Sequence, residues 1–249
     1  MIDAPERERI PVTAPPRRPL WPWVAGALVV AAGLVLHSPW LSVSEIDIVG
    51  ASRADAARRV ASTGVGPGAI LIWVDTGEIA AAVRRDPWVA DVRVERVWPD
   101  RLVVEVAERE PALWIEGLGH WMLVSSDGAV VEIASEPGPG ILRAALAFDD
   151  RRAGDVPVEP VWAELVEMAG VLPPELAARM TLILVGTEVW TEVDGHPVRF
   201  GHPIDMADKS RALAALLEED LPPGSTIDVV SPRRPTVVPV PNPRSEVEG

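Results

Sequence analysis

Two histidines that follow a predicted turn at Asp194 and Gly195 are the residues of this chain best placed to do chemistry. His196 and His202 lie near Asp194 and Asp205, and imidazole with carboxylate is a set of donors that suits zinc. Their six-residue spacing matches no standard zinc pattern, and no third histidine is close in sequence. The sequence therefore predicts a solvent-exposed hairpin here rather than a metal site.

Two further groups of residues resemble reactive sites. Gly64, Gly66 and Gly68 suggest a phosphate loop, but such a loop follows a parallel strand and opens a helix. Here a predicted helix precedes the glycines and an apolar, strand-like segment (residues 70–74) follows, so they are interpreted as a connection. Residues 218–220, all acidic, have no nucleophile nearby and are predicted to be a solvated helix end.

Composition excludes several other kinds of chemistry. None of the 249 residues is a cysteine, which excludes thiol catalysis, zinc thiolate sites and iron–sulfur clusters. The common serine-hydrolase and zinc-protease motifs do not occur, so we expect no catalytic, cofactor-binding or metal-binding residues. A net charge of −14 argues against nucleic acid or anionic headgroups as partners. His37 and His120 are isolated and are predicted to be half-buried structural residues.

An uncharged segment near the amino terminus predicts a membrane anchor. Residues 20–36 would form a helix about 25 Å long, and residues 40 and 41 can extend it toward the ~30 Å of a hydrocarbon core. Arg17 and Arg18 precede it and predict a cytoplasmic amino end, with everything from residue 41 outside. Trp21, Trp23 and Trp40 lie at its ends, as interfacial indoles do. The residues assigned to the anchor are Leu20, Trp21, Trp23, Leu28, Val29, Val30, Leu34 and Leu36.

Two other interpretations of this segment are open. A cleaved secretory signal also has an apolar stretch after arginines, but here small residues are followed by Leu-Val-Leu rather than by a polar start. A buried core helix is the third interpretation, and the paired arginines and flanking tryptophans disfavour it.

After the anchor the pattern alternates between strand and helix. A strand over residues 43–49 ends at Gly50, and helices are predicted over 53–62, with Ser52 as N-cap, and over 78–85. Two strands of alternating polarity, 92–95 and 102–107, surround a turn at Pro99 and Asp100. Strand, helix, helix, strand, strand makes a compact unit of about seventy residues.

The rest of the chain predicts a second, β-rich unit. Short strands are expected at residues 112–115, 120–124, 182–185, 188–193 and 198–200, with a hairpin turn at 126–128. Helices are expected from Pro160 and over residues 204–219, and a last strand over 226–231.

At this point a family can be named from its motifs. Residues 86–89, 96–102 and 106–111, with their Trp-Pro-Asp turn, resemble the POTRA domain of the bacterial division protein FtsQ, also called DivIB. The resemblance continues through residues 126–130 and 225–229. It implies an α+β chain with a cytoplasmic tail (1–19), a transmembrane helix (20–41), a β-α-α-β-β POTRA domain (42–110), a beta domain (111–238) and a disordered tail (239–249). The stretch 136–158, rich in Pro and Gly, matches the family poorly.

The last strand is the predicted docking site. A terminal strand often lies at a sheet edge, where its free N–H and C=O groups can accept another chain's strand. The resemblance implies that this edge binds FtsB, and the matched residues are Thr226, Ile227, Asp228, Val229 and Val230. Arg234, Thr236 and Val237 are added by proximity alone, and an ordinary closing strand is the alternative for each residue.

The function implied by the resemblance is a non-enzymatic divisome scaffold. It would sit in the inner membrane at the division septum and bind FtsB and FtsL, with FtsW and the septal peptidoglycan synthase docking on the POTRA side. No nucleic acid and no small-molecule substrate are expected. Two alternatives are a POTRA-containing export or outer-membrane assembly factor, although the many alternating strands of a barrel are missing, and a membrane-anchored cell-wall hydrolase.

Overall fold

A computed structural model of the chain describes residues 21–36, 39–146 and 148–239. These described residues form two β-sheets, one of three strands and one of nine, with helices beside each. The fold is mixed α+β, as the sequence predicts, with a small unit followed by a β-rich one.

The first helix, α1 (Trp21–Leu36), covers most of the predicted anchor. The side chains of Trp21, Trp23, Leu28, Val29 and Val30 on it are exposed. Leu20, Arg17 and Arg18 lie outside the described residues, as does His37. Within residues 21–36, 39–146 and 148–239, no helix is at once long enough and apolar enough to cross a membrane.

The small unit has the predicted order of strand, helix, helix, strand, strand. Its elements are β1 (Glu45–Val49), α2 (Ala56–Ala61), α3 (Thr76–Val83), β2 (Val89–Val97) and β3 (Arg101–Glu108). β3 lies in the centre, parallel to β1 and antiparallel to β2. Its alternate residues Leu102 and Val104 are fully buried against Ile79 and Val83 of α3, one turn apart on the same helix face.

Two local predictions in this unit are wrong. Residues 70–74 are not strand-like, because Leu71–Trp73 forms a 3₁₀ turn with Leu71 in the core. Helix α2 begins later than predicted, and its N-cap is Asp55, whose side chain accepts a hydrogen bond from the Arg58 N–H. Ser52 binds elsewhere, on the carboxylate of Glu108.

Glu108 fastens the loop before α2 to the end of β3. Its carboxylate accepts hydrogen bonds from the N–H groups of Ser52, Arg53 and Ala54 at 2.6 to 2.7 Å, and from the Ser52 hydroxyl at 2.6 Å. Burial opposes ionisation of this group, but the four hydrogen bonds outweigh it and lower the pKa of Glu108 from 4.5 to about 2. The ionised carboxylate therefore stabilises the small unit.

We expect Glu108→Gln to destabilise the small unit by about 2 kcal/mol at neutral pH, because the amide replaces charge-assisted hydrogen bonds. A carboxyl group whose pKa is lowered by folding stabilises the protein above its unfolded pKa, and that stability is lost as pH falls through the folded pKa. The difference between wild type and variant should therefore shrink between about pH 4.5 and 2. Hydrogen exchange of the small unit measures it, with Glu105→Gln, an exposed carboxylate on the same strand, as the control. A difference that does not change with pH would contradict the assignment.

The β-rich unit is one mixed sheet with the order β12-β11-β10-β9-β8-β7-β4-β5-β6. Its strands are β4 (Pro111–Glu116), β5 (Trp121–Ser125), β6 (Val130–Ala134), β7 (Leu142–Ala145), β8 (Thr181–Val185), β9 (Glu188–Val193), β10 (His196–Gly201), β11 (Thr226–Asp228) and β12 (Thr236–Val238). The sequence did not indicate β7, which lies within the segment rich in Pro and Gly and pairs in parallel with both β4 and β8.

Three helices accompany the nine-stranded sheet. They are α4 (Pro160–Val171), α5 (Pro174–Ala177) and α6 (Met206–Leu216), and their apolar residues share one core with the strands. Helix α6 is shorter than predicted at both ends and begins where the Met206 N–H donates to the Glu164 carboxylate of α4 at 2.9 Å. This bond fixes α6 against α4.

The two units meet at residues that carried the resemblance. The Arg109 N–H donates to the Trp88 carbonyl at 2.8 Å, and the Arg109 guanidinium pairs with Asp127 in the turn after β5. Burial raises the pKa of Asp127, but hydrogen bonds from Ser125 and Arg109 outweigh this and lower it. Trp88 also packs on a small cluster of the β-rich unit that includes Trp114. These contacts link the small unit to the first strands of the large sheet.

Candidate partner-docking edge

The carboxyl-terminal end of the large sheet is formed by two strands. β11 is parallel to β10, with Val198 opposite Ile227 and Arg199 opposite Asp228. β12 is antiparallel to β11, with Val237 opposite Ile227. Among the described residues, β12 has a partner strand on one side only, so it is the edge strand of this end of the sheet.

This arrangement corrects the predicted edge. Residues 226–228 form β11, which is paired on both sides, so they do not lie at the edge, and the strand ends at Asp228 rather than at residue 231. Val229 is fully buried and its N–H donates to the Arg199 carbonyl at 3.0 Å, while the Val230 N–H donates to the Asp228 carboxylate at 2.9 Å. Neither amide is free to pair with another chain.

The three residues that were assigned to the docking site only because they follow the matched strand lie closer to the edge. Thr236 and Val237 are in β12, and Arg234 is in the turn before it, where its N–H donates to the Ser231 carbonyl at 3.0 Å. The sequence patterns predicted no strand over residues 236–238. The signal that could have identified the strand was a β-branched run bounded by Pro235 and Pro239, since proline is typical of strand ends and edges. The docking role of all eight predicted residues stays a prediction.

An ion-pair cluster braces the strands behind the edge, and no pattern in the sequence indicated it. The Arg199 guanidinium donates to both carboxylate oxygens of Glu188 on β9, at 2.5 and 2.9 Å, and to Asp228 on β11 at 3.1 Å. It also lies 6.0 Å from the centre of the Trp190 ring. These hydrogen bonds raise the pKa of Arg199, and the bond from Arg199 lowers the pKa of Glu188. The cluster therefore stays charged and holds β9, β10 and β11 in register.

The histidines do not form a metal site with their neighbours. His196 is buried, contrary to the predicted exposed hairpin, and its Nδ1 lies 3.0 Å from the Ser225 carbonyl. A carbonyl only accepts, so Nδ1 carries the proton and ties the start of β10 to the segment before β11. His202 is exposed, and the predicted turn at Asp194 is present. Among the described residues no three His, Asp or Glu side chains form a cluster that could hold a metal ion.

His120 is half-buried, as predicted, and its Nε2 lies 3.5 Å from the carboxylate of Asp150. This contact joins the β4–β5 turn to the loop after β7. It is a structural contact, far in the sheet order from β12.

Comparison with known proteins agrees with these elements. The profile of the FtsQ-type POTRA domain matches residues 41–109, which include the whole three-stranded unit. The chain is 32% identical to the cell division protein FtsQ of Streptomyces venezuelae, over 84% of this chain and 79% of that protein. It is also 32% identical to FtsQ of Anaeromyxobacter sp. (strain K), over 78% and 68%.

A mycobacterial relative is longer than this chain. FtsQ of Mycolicibacterium smegmatis is 31% identical over 88% of this chain, which spans 64% of that protein's length. The fold, the POTRA match and the extent of these alignments together assign the chain to the FtsQ family of bacterial cell division proteins.

Proposed function

We propose that this protein is a non-enzymatic scaffold of the divisome, held in the inner membrane and docked to its partners through two separate units. The observation that carries the proposal is the edge strand β12, which within the part of the chain that the structure describes pairs only with β11. An antiparallel or parallel strand from another chain can continue the sheet there by main-chain hydrogen bonds. FtsB, with FtsL beside it, is the proposed partner, since the chain is an FtsQ family member.

The proposed layout follows the sequence. Residues 1–19 form a cytoplasmic tail, 20–41 the anchor, 42–110 the POTRA domain, 111–238 the beta domain and 239–249 a tail. The uncharged residues 20–36 and the exposed apolar side chains of α1 support the anchor, and Arg17 and Arg18 support a cytoplasmic amino end. The two folded units would then lie outside the membrane at the division septum, with FtsW and the septal peptidoglycan synthase on the POTRA side.

The edge is well suited to selective strand addition. β12 has only three residues and lies between Pro235 and Pro239, so it offers a short template that resists pairing with arbitrary strands. Behind it, the buried Ile227 and Val229 and the Arg199 ion pairs give the edge a rigid base. A rigid edge reduces the ordering cost of docking.

The test is proline substitution within β12. Successive residues of a strand point their N–H groups in opposite directions, so Thr236→Pro/Val238→Pro and Val237→Pro remove donors from opposite sides. We expect one of these two variants to bind an FtsB-derived extracytoplasmic peptide at least about tenfold more weakly while the β-rich unit stays folded. Fluorescence anisotropy measures the binding, and thermal unfolding monitors the fold.

The matched control is Ile133→Pro on β6, the opposite edge of the same sheet, which should leave peptide binding unchanged. If both β12 variants are folded and bind the peptide as wild type does, strand addition occurs elsewhere. Proline at Val229 is a poor test, since the Val229 N–H already donates to the Arg199 carbonyl within the sheet.

A further inference from the structure

Exposed apolar side chains gather at one end of the small unit. The 3₁₀ turn Leu71–Trp73 exposes Ile72 and 68% of Trp73, and the end of β2 with its turn exposes Val97 and 54% of Trp98. We call Ile72, Trp73, Val97 and Trp98 the tryptophan patch. Exposed large apolar side chains grouped in this way mark a surface that contacts something other than water.

Hydrogen bonds hold the two halves of the patch next to the chain that leaves α1. The contacts are the Arg96 guanidinium to the Val74 carbonyl at 2.6 Å, the β-bridge between Ser42 and Ile70, and the Ser44 N–H to the Asp100 carbonyl at 2.8 Å. The Ser44 hydroxyl adds a bond to the Asp100 carboxylate at 2.6 Å. Residues 42–44 therefore touch both segments that carry the patch.

The distance from this end of the unit to α1 is short in any arrangement. Trp40 is only four residues beyond Leu36, and a chain spans at most about 3.5 Å per residue, or about 14 Å in all. Trp40 itself is 84% exposed. The patch is thus close to the carboxyl end of the proposed anchor, where the outer surface of a bilayer would lie.

The charged groups near the patch do not oppose contact with lipid. Asp75 caps α3, Asp100 accepts from Ser44, Arg96 binds the Val74 carbonyl, and Arg101 pairs with Glu45 and Asp47. Partnered charges cost less to move toward a less polar medium than unpaired ones. Indole rings favour the boundary between headgroups and acyl chains, whereas a protein partner for this face has no comparable support.

We infer that the tryptophan patch sits in the interfacial layer of the lipid bilayer and sets the orientation of the POTRA domain on the membrane. The inference rests on the proposed anchor, which brings the patch to the membrane. The contact uses neutral rings rather than charge, so it does not require anionic lipid. The angle at which the β-rich unit extends from the membrane would then be set by the contact of the patch with lipid and not by a free linker.

The experiment uses the full chain in phosphatidylcholine vesicles. Because the chain has no cysteine, Val97→Cys can carry a single fluorescent label beside the two tryptophans. Two matched labels serve as references. Val158→Cys, at a position of the β-rich unit that is 93% exposed, reports a label in water, and Val29→Cys in α1 reports a label on the proposed anchor. A phosphatidylcholine with a nitroxide near its headgroup quenches a label in the interfacial layer, and one with a nitroxide on its acyl chain quenches a label in the bilayer interior, where Val29 would lie.

We expect quenching at Val97 and Val29 but not at Val158. Adding Trp73→Ser and Trp98→Ser to the Val97→Cys chain should reduce its quenching to the Val158 level without unfolding it, because both rings are exposed. Quenching at Val29 alone would overturn the inference and leave the anchor standing, whereas quenching at Val97 alone would support the patch and contradict the anchor. If none of the three labels is quenched, both the inference and the proposed anchor are overturned. If the Val97 label is shielded from water but not quenched by lipid, a protein covers the patch and the inference is overturned.

Discussion

Replacing Gly50 with alanine is expected to unfold the small unit selectively. Gly50 follows β1 with φ +84°, and a Cβ at this position would lie 2.1 Å from the Val106 carbonyl oxygen on β3. A backbone atom cannot move aside as a flexible side chain can, so β1 and β3 must separate. Left-handed strain and the forced displacement together should cost roughly 3 to 5 kcal/mol.

Hydrogen exchange by mass spectrometry on the full chain measures this effect. Protection should fall in β1, β2 and β3 and stay as in wild type in the β-rich unit, because stability differs between parts of a structure. The matched control is Gly64→Ala, since Gly64 has φ +77° but a Cβ there would meet no atom within 4 Å. That variant should lose only about 1 to 2 kcal/mol. If the two variants lose the same amount of stability, the close approach to the Val106 carbonyl does not contribute to the destabilisation.

Trp162→Ala should have a comparable effect on the β-rich unit. Trp162 of α4 is 2% exposed, its ring meets Phe148 edge to face at 5.6 Å between centroids, and its Nε1–H donates to the Gly128 carbonyl at 3.0 Å. Truncation leaves a large cavity and an unpaired carbonyl, which typically costs about 3 to 5 kcal/mol. The thermal transition of the β-rich unit should fall, and exchange protection should drop in α4, β5 and β6.

Trp162→Phe separates the two contributions. It keeps most of the apolar contact and removes the hydrogen bond, so its cost should be nearer about 1 to 2 kcal/mol. Below the unfolding transition, both variants should still bind the FtsB-derived peptide, because β12 lies at the other end of the sheet from β5 and β6. Loss of peptide binding by a folded Trp162→Phe chain would contradict docking at β12.

Together, Gly50→Ala and Trp162→Ala also test whether the stability of one unit depends on the other. Arg109, Asp127 and Trp88 join them, so destabilising one could weaken the other through this contact. If hydrogen exchange becomes faster only in the unit that carries the substitution, the contact between the units is weaker than the core of either unit. The proposed function requires only that both units stay folded on one chain.

Much of the fold was predictable because its signals are local. Alternation of apolar residues predicted the β2–β3 hairpin, and the Trp-Pro-Asp turn between them indicated the family. Positive φ at Asp194 and Gly195 follows from a turn whose residues tolerate left-handed backbone, and the sequence placed that turn correctly. The N-cap of α2 was misplaced because Ser52 had a better acceptor on Glu108, 56 residues away.

The sequence by itself determined the class of the fold and the uncharged segment proposed as an anchor, since composition and periodicity are properties of neighbouring residues. The family was indicated separately, by the resemblance of the motifs around the Trp-Pro-Asp turn. Only the tertiary structure decided which strand is the edge. Parallel pairing of β11 with β10 joins residues about thirty positions apart, and no local pattern specifies such pairing. The return of β12 onto β11 is more local, but it makes β12 the edge only because β10 already covers the other side of β11. The same applies to β7, to the burial of His196 and to the Arg199 ion pairs, each of which depends on partners brought together by the sheet order.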